Sequence, residues 1–219
     1  MGAITAPALA DRLGVSQPSA RARLIAAERA GLLQHEQLLA RQPALFTVTP
    51  AGMRASGLHG LEPCAVSATC VRHLIECAAV AAALEHCYPD HRVDSERELR
   101  RDEREQRTQL ASARVGIGPD GGWRLHRPDL VLYPAHAPGE LPIAVEVELT
   151  VKAPRRLREI CRGWARCRCV AGVLYLATPP VERALQRALQ RTDAHQRITV
   201  VPLAALPVRA IERTVPSAS

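Results

Sequence analysis

Apolar residues in the first thirty positions recur at helical spacing, which predicts two short helices joined by a tight turn. The first helix covers residues 6–13 and ends at Gly14. Ser16 is a good N-cap for a second helix over residues 17–30, and Pro18 fits its first turn because the missing N–H is harmless there. This order of helix, glycine turn and capped helix is typical of a helix-turn-helix unit.

Two short strands are predicted next, over residues 32–39 and 44–49, on either side of a proline-containing turn. Residues 3–58, with the stretches GVSQPSARARLIAAERAGLL and LFTVTPAGM, resemble winged helix-turn-helix DNA-binding domains. In that family another helix usually comes first. Either that helix would lie before Met1, or a different segment of the chain covers the same face.

The resemblance implies two groups of DNA contacts. Recognition helices present the polar residues of their first turn to base edges, whereas arginines along the helix and wing contact phosphates. The implied base-reading residues are Ser16, Gln17, Ser19 and Arg21, and the implied phosphate contacts are Arg23, Arg41 and Arg54. The alternative is that this unit mediates protein contacts or dimerisation, since winged helices also do that.

The remaining chain alternates helices and strands, which predicts an α/β domain. A linker over residues 59–69 separates it from the first unit, so we expect domains at 1–58 and 70–219. A run of alternating acids and bases predicts a solvated helix with i,i+4 pairs. The predicted elements are helices over 70–88, 92–107, from Pro154 onward and 181–191, strands over 129–133, 143–150, 171–178 and 198–201, and a flexible turn over 116–122.

Acidic residues on two of these strands indicate candidate chemistry. Asp129 begins one strand, and period-two alternation in the next places Glu146 and Glu148 on one face. Two carboxylates on an apolar strand are costly to bury without a partner, and Mg²⁺ is a natural partner because it prefers carboxylate oxygens. Lys152 follows just past the strand. The simpler interpretation is an edge strand whose acids face solvent, with Lys152 as an incidental surface cation.

The motifs SEREL, RPDLVLYP and VEVELTVKAPRRL, within residues 72–203, resemble the PD-(D/E)XK nuclease superfamily. Together with a preceding winged helix, they look more particularly like the replication-relaxation family of bacterial plasmids and mobile elements. The resemblance implies a nuclease-like α/β domain with a mixed central sheet, with or without cleavage activity.

Residue by residue, the resemblance implies that Asp129 and Glu146 bind metal, that Glu96 is an additional metal-binding acid, and that Lys152 is the candidate catalytic lysine. Glu148 departs from the superfamily pattern, because it stands where lysine is expected. Either Glu148 joins the catalytic set as part of the metal shell and Lys152 supplies the charge from beyond the strand, or the site has lost its chemistry. In an active site Mg²⁺ would polarise the phosphodiester and acidify a bound water, with Lys152 orienting that water or stabilising the pentavalent charge.

Composition favours a folded protein with a polyanionic partner. The chain has 219 residues, 47% of them hydrophobic, which allows a buried core and excludes a largely disordered chain. A net charge of +7 and a pI near 9.4 favour nucleic acid. Lys152 is the single lysine among 29 basic residues, so it stands out as a compact, orientable charge. No long apolar run or signal-peptide pattern occurs, so we expect a cytoplasmic protein with no membrane partner.

The seven cysteines indicate reduced thiols, because their number is odd and the chain is too large to need disulfides. Cys70, His73 and Cys77 share one face of the predicted helix over 70–88, so a zinc site is considered. A structural zinc site needs a fourth ligand and paired spacings that this sequence lacks. A thiol-lined core face is therefore the favoured interpretation.

Two functions of different class are consistent with these patterns. In the first, the protein binds double-stranded DNA and carries a Mg²⁺-dependent nuclease-like centre, acting in plasmid or mobile-element replication, relaxation or mobilisation; no organic cofactor is expected. In the second, it is a non-enzymatic winged-helix transcriptional regulator whose α/β domain serves dimerisation or protein docking. A homodimer fits either function, since winged helices often read paired half-sites.

Overall fold

The α/β class predicted from the sequence is confirmed. The computed structural model describes residues 2–119, 121–134 and 139–205, and in these ranges it has seven α-helices and ten strands. None of these helices is long and apolar enough to cross a membrane. In chain order the elements are β1 (Ala3–Ile4), α1 (Ala6–Leu13), α2 (Gln17–Arg29), β2 (Leu33–Glu36), β3 (Leu45–Val48), α3 (Pro50–Ala55), α4 (Val71–Cys87), β4 (His91–Ser95), α5 (Glu96–Gln106), β5 (Ala113–Ile117), β6 (Trp123–His126), β7 (Leu130–Pro134), β8 (Ile143–Glu148), α6 (Pro154–Arg166), β9 (Gly172–Ala177), α7 (Pro179–Leu189) and β10 (Ile198–Pro202), followed by a 3-10 turn (Leu203–Ala205).

A five-stranded sheet, in the order β10-β9-β8-β7-β4, forms the centre of the larger unit. The strands β4, β7 and β8 pair antiparallel, whereas β8, β9 and β10 pair parallel, so the predicted mixed sheet is confirmed. Strand β8 lies in the middle of the sheet, and its residues 144–148 are all buried. The interpretation of this segment as a solvent-facing edge strand is therefore wrong.

Helices cover both faces of this sheet. On one face Val131 and Ala144 join a core with Trp164 of α6 and the apolar residues of α7. On the other face Val145 and Val147 pack against the apolar residues of α4. The alternation predicted for β8 is confirmed, because its valines and Ala144 lie on opposite faces.

The N-terminal elements form a small sheet of their own with two helices against it. Strand β3 pairs antiparallel with both β1 and β2. Helices α1 and α2 are joined by a short turn in which Gly14 has a φ of 60°, a left-handed conformation that favours glycine. Ser16 caps α2 as predicted, since its side chain accepts a hydrogen bond from the Ser19 N–H at 3.4 Å.

Helix α4 connects the small sheet to the large one. Its Ala78 and Ala82 pack against Ala8 of α1, and small side chains allow the two helices to approach closely. A salt bridge between Glu85 and Arg12 joins the same two helices. A later segment of the chain therefore covers this face of α1, which is the second of the two alternatives considered for it.

The solvated helix predicted over residues 92–107 is wrong in its first part, which forms strand β4 instead. Ser95 determines where helix α5 begins, because its N–H and its hydroxyl both donate to Glu98 Oε2 at 2.8 Å. The helix is not solvated on all sides either. Leu99 and Glu103 are buried against the rest of the domain.

The flexible turn predicted over 116–122 connects the two strands of a β-hairpin, β5 and β6, which was not itself predicted, and β5 takes in the first two residues of that turn. The two strands pair antiparallel, with an irregularity between Arg114 and Gly116. Val115 is buried in the core that includes α6, and His126 at the end of β6 reaches the central sheet. The remaining predicted elements are confirmed, with small shifts at their ends.

Candidate active site

Asp129 and Glu146 lie on neighbouring strands of the central sheet. Leu130 pairs with Val145 in the antiparallel register of β7 and β8, so the preceding Asp129 falls opposite the following Glu146. The Asp129 side chain reaches across to β8, where its Oδ2 accepts a hydrogen bond from the Val147 N–H at 2.7 Å. The fold thus places the two acids at facing positions where β7 and β8 pair, with the Asp129 carboxylate in contact with His73 of α4 and the Glu146 carboxylate in contact with Trp164 of α6, the helix on the opposite face of the sheet.

The Glu146 carboxylate is buried, with 3% of the residue exposed, and it forms hydrogen bonds with protein groups. Its Oε1 accepts a hydrogen bond from Trp164 Nε1 at 3.2 Å and forms another with His126 Nε2 at 2.6 Å. The His126 and Trp164 rings meet edge to face, with centroids 5.8 Å apart. Both bonds use the same oxygen and fix the orientation of the carboxylate.

Glu148 and Lys152 form a salt bridge at the end of β8. Burial lowers the pKa of the Lys152 ammonium, while the carboxylates of Glu146 and Asp129 act in the opposite direction. The salt bridge holds the Lys152 amine at the Glu148 carboxylate. The fold places the single lysine of the chain beside the predicted acids, although it follows the strand instead of lying on it.

The predicted extra acid, Glu96, adjoins Asp129 through its backbone. The Glu96 N–H donates to the Asp129 carbonyl oxygen at 2.9 Å, but the Glu96 carboxylate forms a salt bridge with Arg100 one turn along α5. Within the described ranges, the oxygens of Asp129, Glu146 and Glu96 do not all lie within 4.8 Å of one another. The side-chain orientations of the structure thus do not form the three-carboxylate cluster.

A different trio does converge, and the sequence pattern found only part of it. His73 Nε2 lies 2.9 Å from Asp129 Oδ1 and 3.4 Å from Cys77 Sγ, and the ligand atoms of all three lie within 4.8 Å of one another. The hydrogen bond with Asp129 raises the pKa of His73, and burial raises the pKa of Cys77 well above its usual value. Cys70 is not in this cluster, because its thiol contacts Ser67 instead. Asp129 could not be assigned to the trio from helical spacing alone.

A cavity of about 370 Å³ opens beside this trio. Helices α4 and α5 and the segment after Gly60 line it, and its acidic and thiol groups are accompanied by several arginines. Positive side chains next to a carboxylate centre provide attraction for a phosphate group. The lining includes His73, Cys77, Asp129, Glu96, Arg97, Arg100, Arg101 and Arg104.

A second basic surface lies between α6 and α7, next to the same centre. A shallower cavity there, of about 210 Å³, is lined by Lys152, Arg158, Arg187 and Arg191. Lys152 thus lies at this surface and also contacts Glu148 of the central sheet. The sequence showed the arginines of α6 but not their proximity to those of α7, which depends on how the two helices pack.

The residues predicted to contact DNA all lie on the surface of the N-terminal unit. Ser16, Gln17, Ser19, Arg21 and Arg23 are exposed on the first two turns of α2, Arg41 is exposed between β2 and β3, and Arg54 is exposed on α3. Within the described part of the chain, none of these four arginines forms a salt bridge. Their charges are therefore available to a partner.

Comparison with known proteins adds no assignment. A scan against protein-family models, a search of curated proteins and a search of solved structures each found no match. The resemblances to winged helices, to the PD-(D/E)XK superfamily and to the replication-relaxation family therefore stay predictions.

Proposed function

We propose that this protein binds double-stranded DNA and hydrolyses a phosphodiester bond with the help of Mg²⁺, in plasmid or mobile-element replication, relaxation or mobilisation. The observation that carries the proposal is the facing register of Asp129 and Glu146 where β7 and β8 pair, with Lys152 in a salt bridge to Glu148 at the end of the same strand. In this proposal residues 1–58 are a winged helix-turn-helix unit, 59–69 a linker, and 70–219 a PD-(D/E)XK nuclease-like domain.

The order of elements supports the nuclease-like assignment. The resemblance implies a helix before the motif and a strand, helix and strand with the motif, and these correspond to α4 and to β8, α6 and β9. Strand β4, helix α5 and the β5–β6 hairpin lie between α4 and β7. Asp129 directly precedes β7 and Glu146 lies on β8, as the sequence motif predicts.

The donor set fits a hard divalent cation. Asp129 and Glu146 are the residues that would hold Mg²⁺, since carboxylate oxygens are its preferred protein ligands. Bound Mg²⁺ would polarise the phosphodiester and lower the pKa of a water molecule. Trp164 and His126 orient Glu146 for this role, and both hydrogen bonds fall on a single one of its oxygens.

Lys152 supplies a positive charge at the same place. Its ammonium neutralises the buried Glu148 carboxylate, and burial makes the amine easier to deprotonate than a surface lysine. A cation in this position can stabilise negative charge that develops on a phosphate. This arrangement supports the alternative in which Glu148 belongs to the catalytic set and Lys152 supplies the charge from beyond the strand.

The exposed arginines of the N-terminal unit support DNA binding. The first turns of α2 carry the polar residues proposed to read bases, and the unpaired guanidinium groups of Arg23, Arg41 and Arg54 are proposed to contact phosphates. A separate basic surface between α6 and α7, which includes Lys152, is proposed to hold phosphates beside Glu148.

Nicking of supercoiled plasmid tests the proposal. The wild type is expected to nick DNA with Mg²⁺ and not with EDTA, and Asp129→Asn and Glu146→Gln are each expected to lower the rate at least about 100-fold, as for loss of a group that stabilises the transition state. Asp193→Asn, an exposed acid in the loop after α7, is the matched control and should nick normally. Equal activity of all variants would contradict the proposed centre.

A non-enzymatic regulator is the second candidate, and a specific observation favours it. Both oxygens of Asp129 already form hydrogen bonds within the protein, with His73 and with the Val147 N–H. Glu148 also occupies the superfamily's lysine position. DNA binding by the wild type without any nicking, whatever the Mg²⁺ concentration, would overturn the nuclease proposal and support a protein that binds DNA without cutting it.

A further inference from the structure

Three side chains of different chemistry meet beside the cavity of 370 Å³: an imidazole, a thiol and a carboxylate. We propose that His73, Cys77 and Asp129 bind a borderline-soft divalent ion of the Zn²⁺ class. His73 contributes Nε2, Cys77 contributes its thiolate and Asp129 contributes Oδ1. The fourth position is open to water in the cavity.

The observed distances agree with such a site. Zn–N and Zn–O bonds of about 2.1 Å and a Zn–S bond of about 2.3 Å, at tetrahedral angles, place the nitrogen roughly 3.6 Å from the sulfur and roughly 3.4 Å from the oxygen. The structure has 3.4 Å between His73 Nε2 and Cys77 Sγ and 2.9 Å between His73 Nε2 and Asp129 Oδ1. Shifts of a few tenths of an ångström would therefore complete the coordination geometry.

The scaffold holds the three ligands in place. His73 and Cys77 are one turn apart on α4, so they project from the same side of a long helix. The Val147 N–H fixes Asp129 by donating to Oδ2, the oxygen that does not contact His73. Hydrogen bonds of this kind orient a metal-binding carboxylate and raise the affinity of natural sites.

The donor set selects the kind of ion. Thiolate and imidazole are ligands for Zn²⁺ and similar transition-metal ions, whereas Mg²⁺ prefers sites made of oxygen atoms. On binding, the Cys77 thiol releases its proton to solvent, and the neutral nitrogen of His73 donates its lone pair. Three protein ligands with an open fourth position form an incomplete shell that water completes.

This inference does not depend on the proposed nuclease activity, although the two share Asp129. Glu146 belongs only to the proposed magnesium centre, whereas His73 and Cys77 belong only to the new one. Substituting Cys77 therefore tests the thiolate site alone, and substituting Glu146 tests the magnesium centre alone. The two proposals can fail separately.

Cobalt absorption spectroscopy tests the new site on the full chain. Titration of the reduced, metal-free protein with Co²⁺ is expected to produce one equivalent of thiolate-to-cobalt charge-transfer absorption, which Zn²⁺ then removes by competition. Cys77→Ser should abolish this band and weaken Zn²⁺ binding at least about 100-fold, since even substitutions around a metal site cost 10–100-fold. Cys87→Ser, an exposed cysteine at the end of the same helix, and Cys70→Ser should keep it.

Two further measurements distinguish loss of the metal site from loss of folding. Far-ultraviolet circular dichroism compares the fold of each variant, and His73→Gln, which keeps every thiol, should lose high-affinity Zn²⁺ binding in calorimetry. The proposal is overturned if the folded wild type gives no thiolate band with Co²⁺. It is also overturned if the band persists in Cys77→Ser or depends on Cys70.

Discussion

The hydrogen bond from Trp164 to Glu146 can be tested by a double-mutant cycle. Trp164 is fully buried, and its indole N–H lies 3.2 Å from Glu146 Oε1, deep between α6 and the central sheet. The perturbations are Trp164→Phe and Glu146→Leu, alone and together. Trp164→Phe removes the donor, the indole N–H, and Glu146→Leu removes the acceptor, the carboxylate. Each substitution leaves an apolar side chain at its position.

The expected coupling follows from what each variant leaves behind. Either single substitution leaves one atom of this bond buried without its partner, which costs about 1–3 kcal/mol, whereas the double variant removes both atoms. The hydrogen bond between His126 and Glu146 is lost in both Glu146→Leu variants, so its loss cancels in the cycle. Volume losses occur in both backgrounds and cancel in the cycle. Because 3.2 Å is at the long end of the range for N–H···O bonds, we expect a coupling energy of about 1.5–2 kcal/mol.

Urea unfolding followed by circular dichroism measures the four free energies. The double variant is expected to lose less stability than the sum of the two single variants. A control cycle pairs Glu146→Leu with Trp123→Phe, because the Trp123 ring on β6 is largely exposed. The free-energy changes of this pair should be additive within about 0.5 kcal/mol. A coupling energy below about 0.5 kcal/mol for the Trp164 cycle would refute the hydrogen bond and the orientation of Glu146 that depends on it.

Three further predictions concern packing, titration and DNA contacts. In Gly163→Ala the new Cβ would lie 2.9 Å from the Arg114 carbonyl oxygen. Overpacking costs about 1–3 kcal/mol and should exceed the gain in helix propensity of about 1 kcal/mol, so the urea midpoint should fall. A rise in the midpoint would contradict the close contact. Burial raises the pKa of Asp94 above its ordinary value of 3.8. The stability that protonated Asp94 contributes is therefore fully present below pH 3.8 and is lost as the pH rises through the pKa of the folded state. Asp94→Asn should therefore be more stable than the wild type at neutral pH, and unfolding curves at several pH values should show the difference disappearing in acid. Arg23→Gln should reduce the slope of log K against log salt for DNA binding by about 0.9, and an unchanged slope would contradict a phosphate contact.

Local patterns predicted the elements that carry the two paired acids. In β8 the alternation of valine and glutamate determined both the strand and the face on which Glu146 lies, because side chains on a strand alternate in direction. Helix α6 begins at Pro154, as expected from the preference of proline for a first helical turn. These predictions succeeded because each depends on neighbours within a few residues.

The partners of those acids could not be predicted, because they are distant in the sequence. His126 reaches Glu146 through the β5–β6 hairpin, of which only the turn was predicted, because its strands are short and interrupted by a bulge. His73 and Asp129 are 56 positions apart, and their contact depends on how α4 packs against the sheet. Strand β4 was missed because its polar residues continue the charge pattern of α5.

These contacts change the reason for expecting a metal ion. From the sequence, two carboxylates on one strand were expected to be too costly to bury without a cation. The protein itself meets that cost: Trp164 and His126 bind Glu146, and Lys152 neutralises Glu148. Burial of the glutamates is thus no longer a reason to require Mg²⁺. Asp129 becomes the decisive residue, because it belongs to both proposed metal sites and both of its oxygens already have protein contacts, Oδ1 with His73 and Oδ2 with the Val147 N–H. The identity of the ion that binds there depends on whether its other ligands are Glu146 or the imidazole and thiol of α4.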